Sequence, residues 1–458
     1  MNIYDEDYLF AEDPEQVLID QYTQRIAENR IKYQAAPHSL PKKKLRILLA
    51  GYSGAHNTGA DIRTGEIIRQ LREQIGEDRL ILGAVAVGQT LPEHWGEVIC
   101  ENFNCHPPEF VAETCARYDA VVVTEGSLFT STFSNGLALL LMAFLAMAEA
   151  QGKPAIAYGA EADEMHESLM DFANKHLRHS LIIARNEPSQ QRLLSIGLNA
   201  LLGTDTGWTF LPRPSLPVEQ ILHTLGWNGR TKILTICPVN PFCWPLKSDP
   251  MRALFLSKSG VKDSSHYGGM SFFQDSDLSE SSFEIFIDAI ATGIQGFIEQ
   301  SDESYFPVII GMEALDREAC RALARRLKVE EIILSDELEQ HAIIELLRAS
   351  ELLISARFHA ILLSMSAGVP AVGLAYDQRV PALLSSVRNA ELSLLADDDN
   401  LKNKIKEKLL AVEANRQSIS SDFKRFAEQQ RSCQLEMSQN IFEYLASYYP
   451  ECLADRVS

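Results

Sequence analysis

Two arginines and a histidine in the C-terminal part of the chain are the residues whose types and spacing best suit chemistry. Arg357 and His359 follow an apolar run predicted to be a strand, where a helix begins, and Arg379 follows the next predicted strand. A helix N-terminus favours an anion, because its N–H groups are unpaired and its dipole end is positive. Arginine holds carboxylate or phosphate, and histidine exchanges a proton near neutrality. Together they could bind a small anion and move a proton on it.

The surrounding composition supports this interpretation but leaves a structural alternative open. No carboxylate occurs between Ser355 and Tyr376, and in so acidic a chain this gap favours a negative ligand. In the alternative, Arg357 caps a carbonyl group and His359 is a hydrogen-bonded core histidine. Arg379 taken alone is typical of a solvated surface charge.

Three loops at other predicted strand ends carry further candidates. The glycine-bearing loop at 51–59 would let backbone approach a ligand closely, although its spacing matches neither a P-loop nor a dinucleotide fingerprint. Gly126 and Ser127 follow a second strand, and Arg185 follows a third. Each of these loops, taken singly, is more often structural than functional.

The elements that must position these residues are alternating strands and helices. Apolar runs typical of buried parallel strands lie at 45–51, 80–87, 120–124, 155–159, 181–184, 232–237, 307–311, 331–334, 352–355 and 371–375. Helical patterns such as 59–75 and 137–150 separate them. The sequence therefore predicts an α/β protein with two doubly wound lobes that face each other across a cleft.

Composition shifts divide the chain into four predicted regions. Residues 1–42 are an N-terminal helical arm, 43–225 the first lobe, 226–396 the second lobe, and 397–458 C-terminal helices that could pack back on the first lobe. Within the second lobe, the long irregular stretch 241–282 is predicted either to be functional or to be a disordered surface insertion.

Length, charge and cysteine usage exclude several classes of protein. The chain has 458 residues and a net charge of −20, which opposes non-specific binding to nucleic acid or anionic lipid. The longest apolar run, 137–148, is too short to span a bilayer, and the acidic N-terminus is unlike a signal peptide. The 8 cysteines form no C-x-x-C pair. We expect a cytoplasmic protein without a metal site; transient membrane association and the oligomeric state stay open.

Taken together, these segments resemble the polysaccharide pyruvyl transferase family. The segments that carry the resemblance are Gly51-Tyr52-Ser53-Gly54-x-x-Asn57-x-Gly59, Gly126-Ser127-Leu128, Arg185-Asn186-Glu187-x-Ser189, Arg357-Phe358-His359-Ala360 through Gly368-Val369-Pro370, and Gly373-Leu374-Ala375-Tyr376-Asp377. The last two are specific, whereas the others are loose.

The resemblance implies a GT-B-like pair of Rossmann-like lobes, with the acceptor on the first lobe and the donor on the second. It implies transfer of pyruvate from phosphoenolpyruvate to two hydroxyls of a sugar as a ketal, with release of phosphate, in cell-wall or exopolysaccharide biosynthesis. The partners would be phosphoenolpyruvate and a sugar or lipid-linked glycan, with no cofactor. The catalytic positions would be His359, Arg379 and Arg185, and the substrate-binding positions Arg357, Gly54, Asn57, Gly59, Gly126 and Ser127.

The chain departs from the family pattern at three places. Arg379 stands where the family commonly has Lys, which keeps the charge but removes a proton donor. Asn57-Thr58-Gly59 is followed by Ala60-Asp61 rather than Asp-Glu, and Thr124-Glu125-Gly126-Ser127 replaces Gly-Gly-Gly-Ser. Because the last two changes fall in the lobe expected to meet the acceptor, they leave the acceptor open.

Chemical reasoning agrees with a dianionic donor. Phosphoenolpyruvate needs two cationic anchors, for which we expect Arg357 and Arg379, joined by Arg185 across the cleft, and His359 would act as general acid and then base. The aromatic residues of the 241–282 stretch that could stack on sugar rings are Trp244, Tyr267, Phe272 and Phe273.

Two alternatives remain. A nucleotide-sugar glycosyltransferase would share the Met365–Pro370 segment, but Leu363 stands where such enzymes need a glutamate to hold the ribose. A non-catalytic glycan-binding relative would explain the altered loops of the first lobe.

Overall fold

A computed structural model describes residues 5–35, 44–87, 90–259, 272–274 and 280–453 of the chain. These residues form two parallel sheets with helices packed on both faces, and a pair of short antiparallel strands. The predicted α/β class with two Rossmann-like lobes is confirmed.

Seven parallel strands form the sheet of the first lobe, in the order β3-β2-β1-β4-β5-β6-β7. They are β1 (Leu45–Ser53), β2 (Leu80–Ala86), β3 (Val98–Asn102), β4 (Ala120–Val123), β5 (Ala155–Ala160), β6 (Leu181–Ala184) and β7 (Ala200–Leu202). The central strands β4 and β5 are buried along their whole length, because helices cover both faces of the sheet.

The helices of this lobe are α1 (Glu6–Leu9), α2 (Pro14–Ala35), α3 (Thr58–Ile75), α4 (Pro107–Ala116), α5 (Asn135–Ala150), α6 (Glu167–His176) and α7 (Glu187–Ser195). Helix α2, predicted as part of an arm, packs as a layer of the lobe: Leu18, Tyr22 and Ile26 are buried in the same apolar cluster as α5. The N-terminal segment is therefore joined to the first lobe by core packing.

The second lobe repeats this topology in a six-stranded parallel sheet of order β12-β11-β8-β13-β14-β15. Its strands are β8 (Lys232–Cys237), β11 (Tyr305–Gly311), β12 (Ile333–Leu334), β13 (Leu352–Ser355), β14 (Ala371–Ala375) and β15 (Ser393–Leu395), and its helices are α8 (Val218–Thr224), α10 (Glu280–Gln300), α11 (Arg317–Leu327), α12 (Gln340–Arg348), α13 (Phe358–Met365) and α14 (Arg379–Ser386). In each lobe the strand order reverses direction beside the first strand, β1 or β8, which is where such sheets bind ligands.

The 241–282 stretch is not irregular throughout. It contains β9 (Leu246–Ser248), α9 (Pro250–Ser259) and β10 (Phe272–Gln274), and β9 pairs with β10 in antiparallel register. Leu246 donates its N–H to the carbonyl of Phe133 in the first lobe at 2.7 Å. Tyr267 lies outside the described residues. The described part of this stretch therefore forms a small unit beside the cleft.

The chain ends in α15 (Leu401–Ala414), α16 (Arg416–Tyr448) and α17 (Pro450–Leu453). Helix α16 crosses both lobes: Phe423, near its start, is buried in the core of the second lobe, and Leu445, near its end, is buried in that of the first. The helix therefore joins the two lobes by apolar packing.

Truncating either buried end of α16 should destabilise the protein. We expect Phe423→Ala to lower the free energy of unfolding by about 3–5 kcal/mol and Leu445→Ala by about 2–5 kcal/mol, because each leaves a cavity in a closed core. Leu435→Ala on the same helix, at a side chain that is 63% exposed, is the matched control and should change it by less than about 0.5 kcal/mol. Denaturant unfolding measures all three; a Leu435→Ala effect as large as the other two would contradict this packing.

Candidate functional site

The loops that follow the central strands of the two sheets face each other and form a cleft between the lobes. The first lobe contributes Asn57 and Gly59, after β1, and Ser127, after β4, to its wall. The second lobe contributes Arg357 and His359, after β13, and Arg379, after β14. We call this space the central cleft. It brings together six of the nine residues that the sequence analysis singled out.

Arg357 is held in the central cleft by two buried carboxylates. Its Nε donates to Oδ2 of Asp316 at 2.9 Å, and its Nη2 lies 2.9 Å from Oε2 of Glu313. Asp316 is 0% exposed and Glu313 1%, whereas the arginine side chain keeps 13% exposure. The buried carboxylates therefore fix the orientation of the guanidinium, which still reaches the cleft.

Arg379 is oriented in a similar way from the neighbouring strand end. Its Nε and Nη2 donate to Oδ2 of Asp377 at 2.9 and 2.6 Å, and Nη2 also donates to the Tyr376 hydroxyl at 2.9 Å. Its guanidinium carbon lies 4.4 Å from the ring centre of Phe133 in the first lobe. Although burial opposes ionisation of Asp377, Arg379 holds the pKa of that carboxyl below its usual value. Arg379 thus contacts both lobes.

His359 lies on the first turn of α13 with its imidazole against the first lobe. A Cβ on Gly59 would lie 2.2 Å from the ring atom Nδ1, so only glycine permits this approach. The other ring nitrogen, Nε2, lies 3.4 Å from Oδ2 of Asp205. Burial lowers the pKa of His359 below 6.5, against the opposing effect of Asp205. The imidazole is therefore neutral at pH 7 and can accept a proton.

Asp205, which follows β7, is the centre of a buried ionic cluster. Its Oδ2 accepts from Nη1 of Arg63 at 3.1 Å and from Nη1 of Arg185 at 3.5 Å. Arg63 also donates to the carbonyl oxygens of Tyr158 and Gly159. The cluster connects α3, β5 and the ends of β6 and β7. It lies on the Nε2 side of the His359 ring.

The structure does not bring Arg185 to the central cleft as the sequence analysis expected. Its side chain is 2% exposed, it is paired with Glu161 and Asp205, and its guanidinium carbon lies 4.4 Å from the ring centre of Phe358. The ring of Phe358 therefore packs on the guanidinium of Arg185. Arg185 is instead part of the buried ionic cluster around Asp205, next to His359.

Two other predicted positions also lie outside the central cleft. Gly54 lines a neighbouring cavity, and its N–H donates to Oδ1 of Asp61 at 2.9 Å. Burial raises the pKa of Asp61 to about 7. Gly126 lies against the arginine cluster, since a Cβ there would be 2.3 Å from Nη1 of Arg63 and 2.7 Å from Nη1 of Arg185. Gly126 therefore has a packing reason for its identity, whereas Gly54 has a backbone reason, since its φ of 72° favours glycine.

Trp244 lies in the wall of the central cleft, with its ring edge-on to Phe133 at 5.1 Å between centres. Phe273, in contrast, is buried beneath Arg252, whose guanidinium carbon lies 4.5 Å from the ring centre. Of the aromatic residues predicted to face a sugar, Trp244 is therefore in a position to do so and Phe273 is not.

Sequence reasoning missed the carboxylates that surround these cations. The segment from Ser355 to Tyr376 carries none, but Asp316 and Glu313 from after β11 and Asp205 from the first lobe supply them through tertiary contacts. The local gap in carboxylates therefore does not produce a strongly positive pocket. The available signal was position: each of these acids follows a strand, Glu313 and Asp316 at the same sheet edge as the arginines and Asp205 in the sheet of the other lobe.

Within the described ranges, no group of three or more His, Cys, Asp or Glu side chains is arranged to hold a metal ion, and no helix is long and apolar enough to cross a membrane. The central cleft is lined by two oriented guanidinium groups and a neutral imidazole.

Two Rossmann-like lobes that meet at such a cleft define a GT-B-like protein, and solved structures agree. A putative UDP-N-acetylglucosamine 2-epimerase from Listeria monocytogenes matches with a TM-score of 0.54 and 12% identity over 89% of this chain and 97% of that one. The Anabaena protein Alr3699/HepE in complex with UDP and glucose matches with a TM-score of 0.52 and 14% identity over 88% and 100%. At these identities the likeness establishes the fold alone.

The sequence pattern described as "Polysaccharide pyruvyl transferase" matches residues 8–378. The chain therefore belongs to the polysaccharide pyruvyl transferase family, and the resemblance seen in the sequence is confirmed. None of the curated proteins compared with this chain matches it.

Gly59→Ala tests the packing of the imidazole. The added Cβ would lie 2.2 Å from Nδ1 of His359 and must push the ring into the cleft, although alanine itself favours the helix by about 1 kcal/mol. Because burial is the main cause of the lowered pKa of His359, we expect that pKa to rise toward 6.5 in an NMR titration assigned with His359→Gln. Glu73→Ala, at a 61% exposed side chain on α3, is the control and should leave it unchanged. An unchanged pKa in Gly59→Ala would contradict the geometry.

Proposed function

We propose that this protein transfers the pyruvyl group of phosphoenolpyruvate to two hydroxyl groups of a sugar, forming a ketal and releasing phosphate, in cell-wall or exopolysaccharide biosynthesis. The proposal rests on one observation: Arg357, His359 and Arg379 converge on the central cleft of a member of this family. The acceptor would be a sugar or a lipid-linked glycan. A cytoplasmic location and independence of any cofactor stay predictions.

The two arginines suit the two anionic groups of the donor. In each guanidinium, Nε and Nη2 are engaged by carboxylates, and within the described parts of the chain no hydrogen bond involves Nη1. Nη1 of Arg357 and Nη1 of Arg379 are therefore available to a phosphate and a carboxylate. Charge-assisted hydrogen bonds of this kind are the strong ones in proteins.

The reaction can be written with one proton relay. The oxygen of the first hydroxyl bonds to C2 of phosphoenolpyruvate, and the neutral imidazole of His359 accepts its proton and delivers it to C3, which becomes the methyl group. The bond from C2 to the phosphate oxygen then breaks, the second hydroxyl oxygen bonds to C2, and its proton leaves with the phosphate. This scheme starts from the neutral ring that burial favours, so His359 is a base first and an acid second in it; the acid-then-base order expected from the sequence stays the alternative.

The environment of Leu363 argues against the glycosyltransferase alternative. Its side chain is 2% exposed and belongs to the apolar core of the second lobe. A buried leucine offers no acceptor for the hydroxyls of a ribose. The cation-lined cleft also argues against a purely non-catalytic glycan-binding protein, since neutral sugars require no such anchors.

Ligand-induced stabilisation separates these functions. Phosphoenolpyruvate at 100 times its Kd should stabilise the folded state by about 2.7 kcal/mol and raise Tm, whereas UDP- or GDP-sugars should not. Arg357→Met and Arg379→Met should each abolish the shift, because each removes an anchor. Arg326→Met is the control, since that arginine pairs with Glu284 and Asp288 away from the cleft. A shift with a nucleotide sugar alone would favour glycosyl transfer, and no shift with either would favour a binding protein.

Replacing the imidazole should separate binding from chemistry. We expect His359→Ala to retain the phosphoenolpyruvate-induced Tm shift but to lower phosphate release in the presence of acceptor glycosides by about 10²–10⁴-fold. In the wild type, the rate should fall as the pH drops through a value below 6.5, because protonation removes the base. His223→Ala, at an exposed histidine, is the control. Full activity of His359→Ala would remove this residue from the mechanism.

A further inference from the structure

The two ring nitrogens of His359 lie in different surroundings. Nε2 is completely buried, makes no hydrogen bond with the described residues, and lies 3.4 Å from Oδ2 of Asp205. Nδ1 lies beside Gly59, in the wall of the central cleft. A substrate in that cleft therefore meets the Nδ1 edge of the ring, while the Nε2 edge faces the interior of the first lobe.

Asp205 is ionised in this environment and can only accept. Three positively charged or polar donors surround it: Nη1 of Arg63, Nη1 of Arg185 and the backbone N–H of Gly207, which donates to Oδ1 at 2.9 Å. Although burial opposes it, Arg63, His359 and Arg185 hold the pKa of Asp205 well below its usual value. A buried carboxylate that faces a neutral imidazole requires the proton on the facing nitrogen, which here is Nε2.

We propose that Asp205 is the positioning residue of this site, which holds the Nε2–H of His359 across the lobe interface and leaves Nδ1 as the nitrogen that exchanges the substrate proton. The inference rests on the proposed function for the identity of the substrate, but the tautomer and the partner of the histidine are independent of it. Asp205 contacts no reacting atom in this arrangement.

The first lobe thus completes the reacting group of the second. His359 is carried by α13, whereas Asp205 follows β7 and Gly59 lies on α3. Nε2 and Oδ2 lie 3.4 Å apart without the alignment of a hydrogen bond, and catalytic hydrogen bonds are often long without substrate and tighten in the complex. The base is therefore fully assembled only when the two lobes are together.

In the reaction, Nδ1 accepts the proton of the first hydroxyl as its oxygen bonds to C2, and the imidazolium keeps its Nε2–H against Asp205. The same Nδ1 gives its proton to C3 in the same step, so the electron pair of the C2=C3 bond forms the new C–H bond and no carbanion is left at C3. Asp205 stabilises the imidazolium throughout and remains ionised. No proton passes to the carboxylate, so the balance of the proposed reaction is unchanged.

The tautomer can be measured without any activity. In the wild-type protein, ¹⁵N NMR of labelled histidine, with His359→Gln for assignment, should show Nε2 protonated and Nδ1 unprotonated above pH 7. The Nδ1-protonated tautomer in the wild type would overturn the proposal, and this result does not depend on any variant folding.

The isosteric Asp205→Asn variant tests the role in the reaction. We expect kcat for phosphate release to fall at least 10²-fold with the KM for phosphoenolpyruvate changed less than about threefold, because Arg357 and Arg379 are untouched. The acid limb of the rate should move to lower pH, since the lost carboxylate had favoured the imidazolium. Arg63 and Arg185 of the first lobe, whose charges also act on the ring, stay in place, as do Arg357 and Arg379 in the wall of the central cleft.

The matched control is Asp119→Asn, a buried aspartate of the first lobe that accepts the N–H of Arg46 at the opposite end of the sheet. It should leave kcat, KM and the pH profile unchanged. If Asp205→Asn also left kcat and the acid limb unchanged, the proposal would be wrong. If wild-type protein released no phosphate from phosphoenolpyruvate with any acceptor, the proposed function would fail, while the tautomer measurement would still decide the role of Asp205.

Discussion

A carboxylate with 2% exposure stays ionised only where positive groups replace the water it has lost, and Asp205 meets this condition through two equally buried arginines. Arg63 and Arg185 come from different elements, so the single carboxylate fixes both side chains and the backbone that carries them. Removing one member would leave the others uncompensated in a dry interior. Because this cluster is rigid, the His359 ring packs against a fixed surface. The position of the ring in the cleft is set by that surface.

The same rule of local compensation governs the arginines of the second lobe. The chain has a net charge of −20, and the arginines of the cleft are paired with carboxylates. Arg357 is paired with Asp316 and Glu313, and Arg379 is paired with Asp377. In the proposed function, an anion there is recognised by directed N–H donors more than by a broad positive field. The carboxylates that bind each guanidinium fix its orientation and leave Nη1 for the proposed ligand, which favours selective over non-specific binding of anions.

Fold and site differ in how far they can be predicted from the sequence. Buried parallel strands are continuous apolar runs, so β6, β8, β13 and β14 could be placed to the residue, whereas the short strands β3, β7 and β15 carry exposed side chains and gave no such signal. Arg357 and His359 could be found because their chemistry is local to one strand end. Asp205 and Asp316 could not be paired with them, because these contacts are made by distant parts of the chain.

Arginine suits position 379 because its guanidinium group makes two kinds of contact at once. Its planar group stacks on Phe133 across the interface while its edge bonds Asp377 and Tyr376, and a lysine ammonium has neither a flat face nor a fork of donors to make both contacts. Arginine keeps its proton at any physiological pH, so this position can anchor charge but cannot exchange a proton. Proton transfer in the proposed reaction therefore falls to the imidazole, whose orientation and tautomer depend on the first lobe. In the proposed reaction, anion binding and proton transfer are thus carried by different side chains, Arg379 for the first and His359 for the second.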